Sequence, residues 1–210
     1  DYGPIYLVNK KSRKKVFLNF GFNGWAKYKN FKNDNSVNNI ISKISKIKKI
    51  EPKIKIGKKI KKFVLEGGAF DVNGKGSILL TEECLLSKVQ ERNAGVNKNM
   101  YEKVLKDFLN VSNYIWLKRG IKGDDTHGHI DDITRFISPN TIITAIEKKK
   151  NDANYNILKQ NYEILKKARN ITGNKFKIIK VPMPKPFFIN KVRVPASYLN
   201  FLICNNIVLL

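Results

Sequence analysis

Hydrophobic and polar positions change period repeatedly along this chain, from that of a strand to that of a helix and back. Ile5–Val8 predicts a strand, with residues 14–20 as its hairpin partner. Gly21-Phe22-Asn23-Gly24-Trp25 then breaks the pattern as a glycine-bearing loop. Residues 37–50 place Ile40, Ile41, Ile44 and Ile47 at helical spacing, with a lysine-rich opposite face as on a solvated amphipathic helix. Within residues 63–81, two apolar runs, 69–72 and 77–80, flank the turn Asn73-Gly74-Lys75-Gly76 and predict a hairpin. Residues 97–109 predict a second helix, with Met100, Val104, Leu105 and Phe108 on one face. Further on come a strand at Asn113–Leu117 and a hairpin of 133–137 with 141–146 across Ser138-Pro139-Asn140. A third helix follows at 153–168, then a strand at 175–181 ended by Pro182, Pro184 and Pro186. Last, residues 197–203 pair with 207–210 across Asn205-Asn206. Strand pairs alternating with single helices predict a modular α/β fold. No internal repeat is visible in the residues. Asn73-Gly74-Lys75-Gly76 lacks the spacing of a phosphate loop, and a strand pattern follows it.

Composition narrows the picture. The 210 residues fit one domain, residues 1–210, and 42% apolar content is that of an ordinary globular chain. No apolar run reaches the length of a membrane span, and no basic-then-apolar leader precedes the first strand. Asp1-Tyr2-Gly3-Pro4 reads as the middle of a motif, and Ile207-Val208-Leu209-Leu210 as a strand cut short. The expectation is therefore a domain incomplete at both ends. Two cysteines make no disulfide framework, which points to a reducing, cytoplasmic setting. Cys84 and Cys204 both have apolar neighbours and read as small buried hydrophobes. Lys plus Arg number 41 against 17 acids, a net charge of +24. That balance fits a polyanion-binding surface or a drift in composition, since Asn and Ile are also abundant. The lysines are spread along the chain with no single arm holding them. A basic nucleic-acid-binding protein is thus a rival class, and it predicts exposed aromatics and strongly salt-dependent binding.

The densest polar cluster is Gly123-Asp124-Asp125-Thr126-His127-Gly128-His129-Ile130-Asp131-Asp132, with both histidines of the chain and four acids. It falls between predicted strands, where active sites are often carried. Three readings stay open: a solvated acidic loop, a divalent-metal site, and an acid/base site for a cationic substrate. The spacing matches no familiar zinc motif. His129 and Asp131 are two apart, so in an extended segment they project to one side. In Leu65-Glu66-Gly67-Gly68, Glu66 is either exposed in a turn or a buried carboxylate approached closely by backbone. Trp25 is either core packing or a flat wall against a planar cation. Asp1 is either a turn residue or part of a site.

Taken in order, these strings resemble the agmatine deiminase and bacterial-type peptidylarginine deiminase family. The matching residues are Asp1-Tyr2-Gly3-Pro4, Phe22-Asn23-Gly24-Trp25, Leu65-Glu66-Gly67-Gly68, Thr81 to Leu86, Arg92-Asn93, Asp124 to Asp131 and Pro195 to Phe201. The resemblance implies an α/β fold, a partial pseudo-fivefold, propeller-like fan of ββαβ-type modules around a central active site. It implies hydrolysis of the guanidinium of agmatine to N-carbamoylputrescine and ammonia through a covalent cysteine adduct. Peptidyl-arginine is the alternative substrate, and an inactive fragment the further alternative. By the resemblance, Asp1 and Asp131 hold the guanidinium, His129 carries protons, Glu66 supports His129, and Trp25 lines the substrate. It implies no cofactor, metal, nucleic-acid or membrane partner, and a homodimer. His127 stands where many members have Asp, which bears on the substrate more than on the chemistry. The family nucleophile lies in a glycine-rich segment ending in His-Cys. These 210 residues hold no such segment, and neither Cys84 nor Cys204 matches it. Little or no turnover by this chain alone is the expectation.

Overall fold

Strands and helices interleave as far as Lys167, and beyond it the elements among the described residues are strands. The computed structural model describes residues 2–204 and 207–209. In order, the elements are β1 (Ile5–Val8), β2 (Lys15–Leu18), α1 (Val37–Ser45), β3 (Lys48–Ile50), β4 (Lys53–Ile56) and β5 (Lys59–Lys62). Next come β6 (Phe70–Val72), β7 (Ser77–Thr81), α2 (Glu82–Leu86), α3 (Lys98–Leu109) and β8 (Asn113–Leu117). Then follow β9 (Thr134–Ser138), β10 (Thr141–Ile146), α4 (Tyr155–Lys167) and β11 (Lys177–Pro182). The last are β12 (Phe187–Ile189), β13 (Val192–Val194), β14 (Leu202–Cys204) and β15 (Ile207–Leu209). None of the helices among the described residues is long and apolar enough to cross a membrane.

Three sheets, β1-β2-β3, β6-β7-β8 and β9-β10-β11, share one plan. In each the first two strands are an antiparallel hairpin, and the third returns parallel to the second. A parallel neighbour needs a long crossover, and here α1, α2 with α3, and α4 fall in those crossovers. The chain divides into two compact units, residues 1–67 with 88–110, and residues 68–87 with 111–210.

In the first unit Phe63 is fully buried, with its ring edge-on to Phe20 and to Tyr101. Burying one such ring is worth about 2–3 kcal/mol. The side chain of Asn97 caps α3 by accepting from Met100 N, and Tyr101, Val104 and Leu105 form its buried face. Val104 and Leu105 were expected there; Tyr101 is an addition, and Met100 and Phe108 are only half-buried. The helix expected over 37–50 is shorter. It ends at Ser45, Lys46 turns left-handed, and Lys48–Ile50 pairs in parallel with β2. Its isoleucine stripe also does not face a core, since Ile40 is 53% and Ile44 79% exposed. The buried residue of α1 is Asn38, whose Nδ2 donates to Tyr2 O and Asn19 Oδ1. The β4–β5 hairpin, turning at Gly57 with φ +59, did not announce itself in the sequence, because its lysines blur the alternation.

In the second unit the predicted turn after β6 is tied by Asn73, whose Oδ1 accepts from Lys75 N and Ser77 N. Leu79, Ile115, Leu117, Ile130, Ile133, Ile142, Leu158 and Leu165 form one core. α4 also turns two buried asparagines toward the chain leaving β8. Asn161 bonds Lys118 N and Arg119 O, and Asn154 Oδ1 accepts from Lys122 N. β11 runs one residue further than expected, to Pro182 opposite Ile146, which an edge strand tolerates. Residues 197–201 turn instead of extending: Leu199 N bonds Ser197 Oγ and Phe201 N bonds Leu199 O. Only Leu202–Cys204 pairs with Ile207–Leu209. Cys84 is buried as expected; Cys204 is exposed, because both faces of this hairpin are open to solvent.

Candidate functional site

Asp1 lies outside the described residues. In the first unit, Trp25 sits in a short turn, Gly24–Ala26, where Gly24, Trp25 and Ala26 all have φ between 55° and 63°. Such a run is costly for residues with a Cβ and persists only where neighbours enforce it. Here they do. Asn23 Oδ1 accepts from Ala26 N, Gln90 Nε2 donates to Trp25 O, and the indole stands edge-on to Phe22 and Tyr28.

Glu66 is fully buried, which settles the choice between exposed turn residue and buried carboxylate. Its Oε1 accepts from Arg92 Nε at 3.0 Å, with both side chains inaccessible. Arg92 Nη1 also donates to Gln90 O, and Asn23 Nδ2 donates to Arg92 O. Next to it, Asn93 clamps the backbone of Val64, accepting from its N and donating to its O. Residues 90–93 thus brace both the Trp25 turn and the segment that carries Glu66. Arg92 carries a role that sequence reasoning missed.

In the second unit, residues 118–133 run from β8 to β9 and hold both histidines. The segment is built of turns and bends, so the expected extended geometry does not occur. His129 and Asp131 nevertheless meet, with Nδ1 3.8 Å from Oδ1. The turn that joins them is fixed by Gly68, whose carbonyl accepts from Ile130 N and Asp131 N. Gly68 also leaves them room: a Cβ there would stand 2.3 Å from His129 Nδ1 and 2.7 Å from Asp131 Oδ2. Gly120 and Gly128 serve a second close approach, since a Cβ at Gly120 would lie 2.5 Å from Gly128 Cα. Thr81 Oγ1 donates to Gly128 O, and Gly120 N donates to Glu83 Oε2.

The four acids of this loop are not equivalent. Asp124 takes backbone hydrogen bonds from Thr126, Gly128 and His129. Asp132 accepts from Asn200 Nδ2, and its carbonyl from Ser197 Oγ. Asp131 is different: its Oδ1 is buried and receives no hydrogen bond among the described residues. Burial pushes its carboxyl up to about 6; His129 and Arg135 pull it down, while Asp132 and Asp124 push it further up. His127 has φ +66 and meets Ser87 Oγ through Nε2 at 2.9 Å. A buried carboxylate with an unfilled acceptor beside an imidazole can receive a cationic N–H donor, and the imidazole can exchange protons with it.

The family model for Porphyromonas-type peptidyl-arginine deiminase matches residues 1–210. The chain is similar to an agmatine deiminase of Medicago truncatula, 30% identical over 239 residues, covering 100% of this chain and 61% of that relative. It is similar to the agmatine deiminase of Pseudomonas putida, 29% identical, covering 98% of this chain and 59% of that one. Among solved structures, a C. jejuni agmatine deiminase with substrate bound has a TM-score of 0.83 at 35% identity, covering 99% of this chain and 57% of that one. An Enterococcus faecalis agmatine deiminase has a TM-score of 0.85 at 30% identity, covering 99% of this chain and 60% of that one. The chain belongs to the Porphyromonas-type peptidyl-arginine deiminase family. It spans between 40% and 61% of the length of the curated relatives it matches.

Proposed function

We propose that this chain supplies the guanidinium grip and the proton carrier of an agmatine deiminase. The observation that carries the reading is Asp131: a buried carboxylate whose Oδ1 has no donor among the described residues, set 3.8 Å from the His129 imidazole. A guanidinium is a planar cation with forked N–H donors, and a carboxylate fixes its orientation. The family resemblance assigns the second carboxylate of the grip to Asp1 and a flat wall for the cation to Trp25. The family resemblance gives Glu66, which Arg92 holds, the role of supporting the proton carrier.

The reaction balances as R–NH–C(NH2)2⁺ plus water giving R–NH–CO–NH2 plus ammonium. A thiolate forms a bond to the guanidinium carbon, His129 gives a proton to the departing nitrogen, and ammonia leaves. His129 then takes a proton from water as the oxygen bonds to the same carbon and the thiolate departs. Cys84 is buried and Cys204 lies on an exposed hairpin, and neither is given the thiolate's role. No thiolate is assigned within these 210 residues. The three sheets of one plan are then repeats of one module within a single deiminase domain. The enzyme acts in the cytoplasm as a homodimer, with agmatine preferred over peptidyl-arginine.

Binding tests the grip without needing turnover. Agmatine titrated into the chain binds above pH 7 and weakens about tenfold per pH unit below about 6, as Asp131 takes up its proton. Putrescine, which lacks the guanidinium, and an acetyl-arginine amide bind more weakly. Affinity for agmatine that ignores pH between 5 and 8, or that survives Asp131→Asn, would sink the assignment. In a polypeptide that also carries the His-Cys segment, ammonia release from agmatine vanishes in His129→Ala.

A further inference from the structure

Given the roles proposed above for His129 and Asp131, we infer that Asp124 is the positioning residue of the site: its carboxylate sets where the His129 imidazole stands against Asp131. Its Oδ1 accepts from Thr126 N at 2.8 Å and from Thr126 Oγ1 at 2.5 Å. Its Oδ2 accepts from Gly128 N at 2.7 Å and His129 N at 3.1 Å. Four donors fill the four lone-pair sites of a carboxylate. Asp124 therefore has nothing left with which to hold a substrate cation, although it stands in the same acidic run as Asp131.

The backbone is shaped for this arrangement. Gly123, His127 and Gly128 all have positive φ, between 66° and 93°. The chain curls so that successive N–H groups converge, the geometry by which backbone nests hold anions. Here the anion comes from the chain itself. Gly128 and His129 are buried, so water cannot serve their N–H groups if the carboxylate is moved. Downstream, Ile130 N and Asp131 N are anchored on Gly68 O. The reactive pair is thus strung between two fixed points, the Asp124 carboxylate and the Gly68 carbonyl. The 3.8 Å from imidazole to carboxylate leaves little tolerance, since a shift of less than 1 Å makes or abandons a hydrogen bond.

Asp124→Glu separates geometry from charge, because it keeps the anion and moves the acceptor by one methylene. In the whole chain, hydrogen exchange at the Gly128 and His129 amides speeds at least tenfold in this variant, while the amides of Ile115 and Ile142 keep their protection. The Asp131 carboxyl, followed by carbon NMR, titrates above its starting value of about 6, because His129 no longer stands beside it. Agmatine affinity falls at least tenfold. Asp124→Asn, a smaller perturbation, shows the same changes in weaker form and serves if the glutamate variant does not fold. Unchanged exchange at Gly128 and His129 would overturn the inference. So would lost protection with an unmoved Asp131 titration, which would make Asp124 a loop fastener only. If the unaltered chain takes up no agmatine, the functional reading fails while exchange and titration still decide the role of Asp124.

Discussion

Two buried carboxylates, one in each unit, have opposite fates. Glu66 has a guanidinium of the protein's own, Arg92, at 3.0 Å, and neither side chain is accessible. Asp131 has an imidazole at 3.8 Å, an acceptor atom with no donor among the described residues, and a carboxyl pushed up to about 6 by burial despite the pull of His129 and Arg135. Glu66 is thus given a bonded cation by the fold, whereas the buried Asp131 Oδ1 has no donor bonded to it among the described residues. A ligand carrying a cation would relieve the cost of burial at Asp131, and this is where binding energy is available.

The largest test breaks the first pair. Arg92→Met leaves Glu66 buried without its cation and lowers stability by about 3–5 kcal/mol in urea unfolding. Adding Glu66→Gln recovers most of that loss, because the penalty belongs to the orphaned charge; a double variant as unstable as the single would contradict it. Next in size is Asp131→Asn. Carrying a carboxyl from its ordinary 3.8 to about 6 costs about 3 kcal/mol once it is ionised. Below pH 4 both folded and unfolded chains hold the proton, and no cost arises. As pH rises from about 4 to about 6, the unfolded chain releases its proton first and stability falls; above that the penalty is constant. The stability advantage of the asparagine variant therefore grows across this window, and parallel pH profiles would refute the cause. The smallest effect is Gly68→Ala. The added methyl pushes on His129 and Asp131 and costs about 1–3 kcal/mol. Agmatine affinity falls with it, and unaltered affinity would show that the spacing of the pair is not what binds.

Much of this was legible in the residues. Hairpins with glycine or asparagine turns, such as β6–β7, were read in place because turn chemistry and alternation agree there. The loop from Asp124 to Asp131 stood out by its density of chemistry. What failed has a common cause. Isoleucine every third or fourth residue from 40 to 50 satisfies a helix equally well through the turn at Lys46, so the change to β3 was hidden. Lysines mask the alternation of β4 and β5. Arg92 was invisible as a partner because a salt bridge between residues 26 apart leaves no periodic trace. The common plan of the three sheets was anticipated as strand pairs alternating with single helices, although no residue repeat marks it, since a shared connectivity needs no shared residues.

Residues 118–133 are the one passage of chain from the β6-β7-β8 sheet to the β9-β10-β11 sheet. Placing the chemistry on that bridge separates two kinds of inheritance. Either sheet can exchange one apolar residue for another over evolutionary time and still deliver the ends of the bridge to the same places. The bridge itself cannot change length between Asp124 and Asp131, because the spacing of two anchors is spelled in whole residues. Turn tips such as Gly57 or Asn190-Lys191, which carry no such span, are where length can vary freely.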